Sequence, residues 1–204
     1  MSGPPKGDQR RTALLESLDH HLHESSLDSI NIADISRRAG VTRSAFYFYF
    51  ENKAAAVAAL SEEMYDEVFA AGAALVGQDG TPRWRVETTI NGVFDAWERH
   101  EHLFRAMLEA RAANPSVREL WDADRQSFVP PLAAMIDAER AAGHAPPGPD
   151  AAALATVLLE LNDRALERLS LGGALPRAAH VEALVTIWLR TIYGTDDPTP
   201  GDPA

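Results

Sequence analysis

Apolar residues recur at intervals of three and four positions along most of the chain, which is the spacing of one face of an α-helix. Over about residues 9–24 the repeat consists of Leu14, Leu15, Leu18 and Leu22, which predicts a first helix. Further helices are predicted over about 32–39, 43–50, 53–76 and 102–112, from Pro82, from Pro115, through Met135 to about Gly143, from Asp150 to about Leu171, and from about Pro176. The pattern therefore predicts an all-α fold.

Three features of this pattern set the expected architecture. The helix that begins at Lys53 is expected to continue to about Val76 and to bridge the amino-terminal part and the larger remainder. Pro130 and Pro131 interrupt an apolar segment, so a helix there is expected to kink or break. The last two helices are too apolar for a monomer surface, and two from each of two copies would form a symmetric four-helix interface.

Residues 29–53 contain two short helices joined by a tight turn. Asn31 can cap the first of these helices, and Gly40 supplies the left-handed residue that ends it. The Thr42 hydroxyl can cap the second. Helix, glycine turn and helix in this order are typical of a helix-turn-helix, whose second helix places its amino end in the major groove of DNA.

The second short helix carries two chemically different faces. At helical spacing Phe46 and Phe50 share one face and are expected to be core, whereas Arg43, Ser44 and Tyr47 share the other. Polar and aromatic groups at this position are suited to contacts with base edges.

Lys53 follows Asn52, a predicted cap, in the first turn of the next helix, where a cation opposes the helix dipole. A DNA phosphate bound there would resolve this conflict, because helix amino termini bind anions.

The segment AGVTRSAFYFYFENKAAA resembles the helix-turn-helix of TetR-family transcriptional regulators, and its FYFYF run is especially similar to the EthR type. The resemblance implies a TetR-like all-α fold of about nine helices, with DNA-binding helices 9–24, 32–39 and 43–50. It implies a DNA-binding domain over 1–53 and a ligand-binding and dimerisation domain over 54–194. The composition of residues 1–8 and 195–204 predicts that both ends of the chain are disordered. The resemblance also implies phosphate contacts from Thr42, Tyr47 and Lys53 and base contacts from Arg43, Ser44 and Phe48. The alternative is that the aromatic residues of this helix are simply core.

The carboxy-terminal half is similar to the EthR type at LWDADRQSF, IDAER, the Asn-Asp-Arg triplet that begins at Asn162, and TIWLRTIYG. This resemblance implies a hydrophobic tunnel for a small apolar effector, lined by Trp97, Trp121, Phe128, Asn162 and Trp188. The sequence departs from the type at Leu159, where a second Asn is expected, and at the foreign pair Pro130 and Pro131. Core packing is the alternative for each aromatic residue, and a satisfied buried amide or a dimer contact is the alternative for Asn162.

Composition narrows the functional classes. The 204 residues contain no cysteine, which excludes disulfides, thiolate metal sites and cysteine nucleophiles. No membrane-length apolar run or signal peptide occurs, so the protein is expected to be cytoplasmic. The net charge of −11 argues against binding nucleic acid. However, residues 1–53 contain seven basic and seven acidic residues, so the excess of negative charge lies entirely in residues 54–204. A local basic surface within residues 1–53 can therefore still bind DNA.

Catalytic and cofactor signals are missing from the sequence. No Gly-rich phosphate loop, HExxH or GxSxG motif occurs, so no enzyme activity, catalytic residue or cofactor is predicted. His20 and His23 can be interpreted as a metal pair, but histidines placed favourably at a helix carboxyl end are the preferred interpretation, so no metal is predicted. The sequence predicts a homodimeric repressor of a palindromic operator. A small helical enzyme or binding protein for an apolar molecule and a helical interaction module are the alternatives.

Overall fold

The computed structural model describes residues 6–77 and 80–198, without the side chains of Lys6 and Glu63. Every regular element in these residues is helical, which confirms the all-α prediction. The α-helices are α1 (Lys6–Glu24), α2 (Ile32–Arg38), α3 (Arg43–Tyr49), α4 (Lys53–Leu60), α5 (Glu62–Val76), α6 (Pro82–Arg99), α7 (Glu101–Ala113), α8 (Pro115–Gln126), α9 (Val129–Ala141), α10 (Ala151–Ser170) and α11 (Arg177–Tyr193). A 3-10 turn, Leu27–Ser29, lies between α1 and α2.

The helices form two compact units, of which the first comprises Met1–Glu63 and His100–Trp121. In this unit α1 packs against α2, α4 and α7, and α2 packs against α3. The core is formed by fully buried apolar side chains, among them Leu14, Leu18, Ile35, Phe46, Val57 and Met107. This unit includes more of the chain than the DNA-binding domain expected over 1–53, because α4 and α7 contribute side chains to the same core.

The second unit comprises Met64–Arg99 and Asp122–Ala204. In this unit α10 packs against α6, α9 and α11, and α6 also packs against α11. The fully buried core side chains include Ile90, Phe94, Ile136, Leu158, Trp188 and Leu189. Within the described residues, no helix is both long and apolar enough to cross a membrane.

The prediction of a single helix from Lys53 to Val76 is wrong. Helix α4 ends at Leu60 and α5 begins at Glu62, so the break lies at Ser61. This residue is fully buried, and its hydroxyl donates to the Val57 carbonyl over 2.9 Å. A serine bonded to its own preceding turn competes with helix propagation. The backbone amide of Ser61 is shared between the carbonyls of Val57 and Ala58. Bonds shared in this way are common at helix ends, and α4 ends here.

The predicted break before Pro130 and Pro131 is confirmed. Helix α8 ends at Gln126 and α9 begins at Val129, which places both prolines in the first turn of α9. The first amides of a helix have no partner within it, so the missing N–H groups of the two prolines cost no helical hydrogen bond.

The ends of the chain were expected to be disordered over 1–8 and 195–204. Residues 1–5 and 199–204 lie outside the described part, whereas Lys6 already belongs to α1. Asp196 accepts hydrogen bonds from Arg83 through its carbonyl and from Arg190 through its carboxylate, each over 2.8 Å. The hydrogen bond from Arg190 lowers the pKa of the Asp196 carboxyl.

Candidate functional site

Local capping explains the geometry of the two short helices. The Asn31 side chain accepts from the Ala33 amide over 2.9 Å, and the Thr42 hydroxyl accepts from the Ala45 amide over 3.2 Å. Between them Gly40 has φ of +67°, a conformation that favours glycine. All three predicted roles are confirmed, and together they fix the direction in which α3 leaves the turn.

The inner face of α3 is anchored in the core of the first unit. Phe46 is fully buried and Phe50 is 5% exposed, and their ring centroids lie 5.6 Å apart. Behind α2, the buried Ser17 hydroxyl of α1 donates to the Ile35 carbonyl over 2.9 Å. The prediction that Phe46 and Phe50 are core is confirmed.

The outer face of α3 lies in solvent. Phe48 is 81% exposed and Tyr47 is 47% exposed, while Thr42, Arg43 and Ser44 are also exposed. Core packing is therefore not the role of Phe48. The Phe48 ring packs edge-on against the ring of the neighbouring Tyr49, with their centroids 5.0 Å apart, and most of it still faces solvent. Large apolar side chains that are exposed together, as Tyr47 and Phe48 are, mark interaction surfaces.

Arg43 and Tyr47 interact along this face. The Arg43 guanidinium donates to the Tyr47 hydroxyl over 3.3 Å and lies 5.7 Å from the centre of its ring. Both side chains remain exposed, so they present a guanidinium and a phenol next to each other. Guanidinium groups donate to guanine edges and to phosphates, and phenols donate to phosphates.

Lys53 makes three hydrogen bonds that its position in the sequence does not predict. Its ammonium donates to the carbonyls of Leu27 over 2.6 Å, Ile30 over 2.8 Å and Asp28 over 3.2 Å. An ammonium has three N–H donors, and this arrangement uses all of them. A phosphate contact, as expected from the sequence, would require Lys53 to release one of these carbonyls. The predicted cap beside it is confirmed, because the Asn52 side chain accepts from the Ala55 amide over 2.9 Å.

Four of the five predicted effector residues lie in the second unit. Trp188 on α11 is 1% exposed, and Asn162 on α10 is 6% exposed. Trp97 on α6 is 9% exposed, and its indole N–H donates to the Ser170 hydroxyl over 2.8 Å. Phe128 is half-buried, with its ring 5.2 Å from that of Phe69.

The fifth residue, Trp121, belongs to the first unit. Its ring packs edge-on against Phe104 at 5.6 Å, and the Arg111 guanidinium lies 4.9 Å from its centre. Trp121 is 3% exposed. These contacts give it a packing role within the first unit.

Several buried polar atoms of the second unit have no hydrogen-bond partner among the described residues. They include the carbonyl oxygen of the Asn162 amide, the indole N–H of Trp188 and the hydroxyl of Thr89. Unsatisfied buried polar groups cost free energy and therefore require a functional or solvent explanation. Of these three groups, the Asn162 oxygen is an acceptor, the Trp188 N–H is a donor and the Thr89 hydroxyl can be either.

A cavity of about 490 Å³ in the second unit is lined by residues of α6 and α11. None of the predicted effector residues lines it.

A buried ion pair in the second unit had no sequence signal. The Arg85 guanidinium of α6 donates to the Glu139 carboxylate of α9 over 2.6 Å, with both side chains only about one tenth exposed. The same guanidinium donates to the Gly77 carbonyl over 3.1 Å, and the His144 ring lies 3.2 Å from the other Glu139 oxygen. Burial, with a smaller contribution from the Glu139 carboxylate, raises the pKa of Tyr193 to about 12. No motif marks this pair, because its members are 54 positions apart.

Two family models match separate parts of the chain. One, described as bacterial regulatory proteins of the tetR family, matches residues 21–60, which contain α2 and α3. The other, described as the C-terminal domain of the transcriptional regulator EthR, matches residues 86–194.

Individual relatives extend this similarity over nearly the whole chain. The HTH-type transcriptional regulator EthR of Mycobacterium tuberculosis is 35% identical over 196 residues, covering 93% of this chain and 90% of that protein. Its namesake in Mycolicibacterium smegmatis is 31% identical over 198 residues, covering 95% and 91%.

Solved structures share the fold at lower identity. NalD, the secondary repressor of the MexAB-OprM multidrug efflux pump in Pseudomonas aeruginosa, has a TM-score of 0.70 at 19% identity and covers 92% of this chain and 98% of its own. A TetR-family regulator from Syntrophomonas wolfei also has a TM-score of 0.70, at 16% identity, with 91% and 95% covered.

Proposed function

Because the chain belongs to the TetR family of transcriptional regulators and its carboxy-terminal part matches that of EthR, we propose that it is an effector-responsive repressor. As a homodimer in the cytoplasm it binds a palindromic operator and is released by a small apolar effector. The exposed outer face of α3 carries this proposal, since it combines a solvent-exposed Phe with an Arg and a Tyr on a helix anchored from behind.

The DNA-contacting set consists of side chains at the start and on the outer face of α3. Thr42 and Tyr47 contact phosphates, whereas Arg43, Ser44 and Phe48 lie against base edges. Exposure of all five supports this assignment. Phe48 contributes an apolar contact of the kind that a thymine methyl group accepts. We assign Lys53 a positioning role, because its ammonium holds the turn before α2 rather than facing solvent.

Dimerisation through α10 and α11 is supported by apolar side chains left exposed on these helices. Val157 and Leu161 are 52% and 38% exposed and lie one turn apart on α10, and Ile187 of α11 is 39% exposed. Joining two copies across these side chains removes them from water. The resulting two-fold symmetry matches an operator with two half-sites about one DNA turn, or roughly 34 Å, apart.

The effector binds within the second unit, next to Trp97, Phe128, Asn162 and Trp188. It is apolar over most of its surface, as expected for a pocket lined by aromatic side chains. It carries one or two polar atoms that complete the hydrogen bonding of Asn162 and Trp188, whose buried polar atoms lack partners. Its binding favours the population of dimers that cannot engage the operator.

Selection of bound duplexes from a random DNA library tests the operator part of this proposal. We expect an inverted repeat and two protein chains per bound duplex. The variant Val157→Glu should become monomeric and lose cooperative binding, whereas Leu171→Glu, a change at a 62% exposed residue outside α10, should remain dimeric. Recovery of no sequence above the background of random duplexes would contradict the proposal.

A thermal-shift screen of small apolar molecules tests the effector part. A true effector should lower operator affinity, and by linkage the operator should lower effector affinity by the same factor. Asn162→Leu should weaken binding about tenfold, the expected loss for one hydrogen bond to a buried group. The control is Asn91→Leu, because the Asn91 amide already donates to the Glu87 carbonyl. A ligand that binds equally in the presence and absence of operator would contradict the proposed release.

A further inference from the structure

One group of metal-ligating side chains lies apart from the outer face of α3. Asp19 and His23 are one turn apart on α1, and His102 lies near the start of α7 in the same compact unit. The His102 ring nitrogen Nε2 is 2.8 Å from one carboxylate oxygen of Asp19, and His23 Nε2 is 3.7 Å from the other. The two imidazole rings are stacked with their centroids 3.6 Å apart.

The donor set is that of a transition-metal site. One ligand atom from each residue can be chosen so that all three lie within 4.8 Å of one another. Tetrahedral zinc with ligand bonds of about 2.0–2.2 Å requires ligand atoms roughly 3.4 Å apart. The two rings are stacked at an interplanar angle of 25°, so both must rotate about their side-chain torsions to aim their nitrogen lone pairs at one ion. Two imidazoles and a carboxylate are common protein ligands of zinc.

The surroundings suit an ion with one open position. The His102 side chain is 10% exposed, whereas Asp19 and His23 are 37% and 56% exposed on their side chains. The site therefore has a protein side and a solvent side. A cavity of about 280 Å³ is lined by His23 and His102 and provides space for a water or another ligand.

We infer that Asp19, His23 and His102 bind a divalent transition-metal ion such as Zn²⁺. The ion replaces the direct hydrogen bond between Asp19 and His102 with coordination bonds to both residues, and it recruits His23 to the same centre. It thereby joins α1 to α7 within the first unit. The pair considered from the sequence, His20 and His23, is not the pair that converges, because the His20 ring packs edge-on against His21 at 5.8 Å.

Metal titration of the full chain, purified without a histidine tag, tests this inference. Zn²⁺ is titrated by calorimetry against a competing chelator, and the visible bands of Co²⁺ report the coordination geometry. We expect one ion per chain and the intense bands of a four-coordinate Co²⁺ site. Excess EDTA should remove both signals.

Three single substitutions identify the ligands. His102→Gln and His23→Gln should each weaken Zn²⁺ binding at least about tenfold, since even the loss of an outer partner of a ligand costs about that much. His20→Gln is the control on the same helix and should bind like the wild type. His23→Gln also guards against misfolding, because it leaves the hydrogen bond between Asp19 and His102 in place.

Thermal unfolding supplies an independent readout. Zn²⁺ should raise the Tm of the wild type and of His20→Gln, because an ion that binds the folded chain stabilises it. At the same Zn²⁺ concentration it should raise the Tm of His23→Gln by less, because the variant binds the ion more weakly. Absence of stoichiometric binding to the wild type, or wild-type affinity in folded His23→Gln, would overturn the inference without bearing on operator binding.

Discussion

Replacing Lys53 with Met separates a stabilising role of this residue from a direct role in DNA binding. Methionine keeps a long unbranched stem and a similar helix propensity, but it removes the ammonium. The Leu27 and Ile30 carbonyls then lose part-buried hydrogen bonds, whereas the more exposed Asp28 carbonyl regains water. The segment between α1 and α2 thereby loses the hydrogen bonds that connect it to α4.

The size of the effect follows from these two bonds. Hydrogen bonds to a charged group contribute about 1.5–3 kcal/mol each, and the lower end applies because the carbonyls are only partly buried. We therefore expect Lys53→Met to lower the free energy of unfolding by about 3 kcal/mol. For a chain of this length that corresponds to a decrease in Tm of about 6–12 °C.

Circular dichroism melts of Lys53→Met and of Arg38→Met measure this difference. Arg38 is an exposed cation on α2, and its replacement should change stability by at most about 0.5 kcal/mol. Operator binding is then measured over a range of salt concentrations at a temperature where both variants are folded. The slope of log K against log salt should be the same for Lys53→Met and the wild type. An unchanged Tm together with a slope reduced by about 0.9 would instead identify Lys53 as a phosphate ligand with no stabilising role.

Three further predictions concern the interior and the turn. Arg85→Met leaves the Glu139 carboxylate buried without its main partner, so urea unfolding should show a loss of about 3–5 kcal/mol, and adding Glu139→Leu should restore part of it. Gly40→Ala forces alanine into the left-handed region and should cost about 1 kcal/mol in the same assay, whereas Gly72→Ala within α5 should not destabilise. The folded protein holds the Tyr193 proton more tightly than the unfolded chain does, so stability should fall as the pH rises from about 10 to about 12. Tyr193→Phe should remove this part of the decline in pH-dependent melts; an identical pH profile would contradict the buried assignment.

The sequence predicted most of the helices because their signals are local. Asn31, Thr42 and Asn52 are polar caps next to helical repeats, and Gly40 is a glycine at the required position, so their roles follow from nearest neighbours alone. The separation of inner and outer faces on α3 has the same basis. The break at Ser61 was not predicted, because the alanine-rich sequence on either side favours an uninterrupted helix. The hydroxyl of Ser61 donates to the Val57 carbonyl because it is buried, and burial cannot be read from the local sequence.

Contacts between distant parts of the chain could not be predicted in this way. Lys53 bonds carbonyls 23 to 26 positions earlier, and carbonyls carry no residue-specific signal. His102 lies 83 positions from Asp19, so histidine spacing along α1 alone pointed to the wrong neighbour. Trp121 looked equivalent to the other large aromatic residues, yet it packs against Phe104 in the first unit.

The operator affinity of variants on the outer face of α3 shows whether this face reads DNA. Fluorescence anisotropy with the selected operator should show that Phe48→Ala and Arg43→Ala each bind about 5- to 150-fold more weakly, equivalent to about 1–3 kcal/mol per lost base contact. Leu120→Ala and Arg118→Ala, at exposed positions of α8 in the same unit, should bind like the wild type. Wild-type affinity in both α3 variants would place the DNA-reading surface elsewhere and would rule out this role of α3.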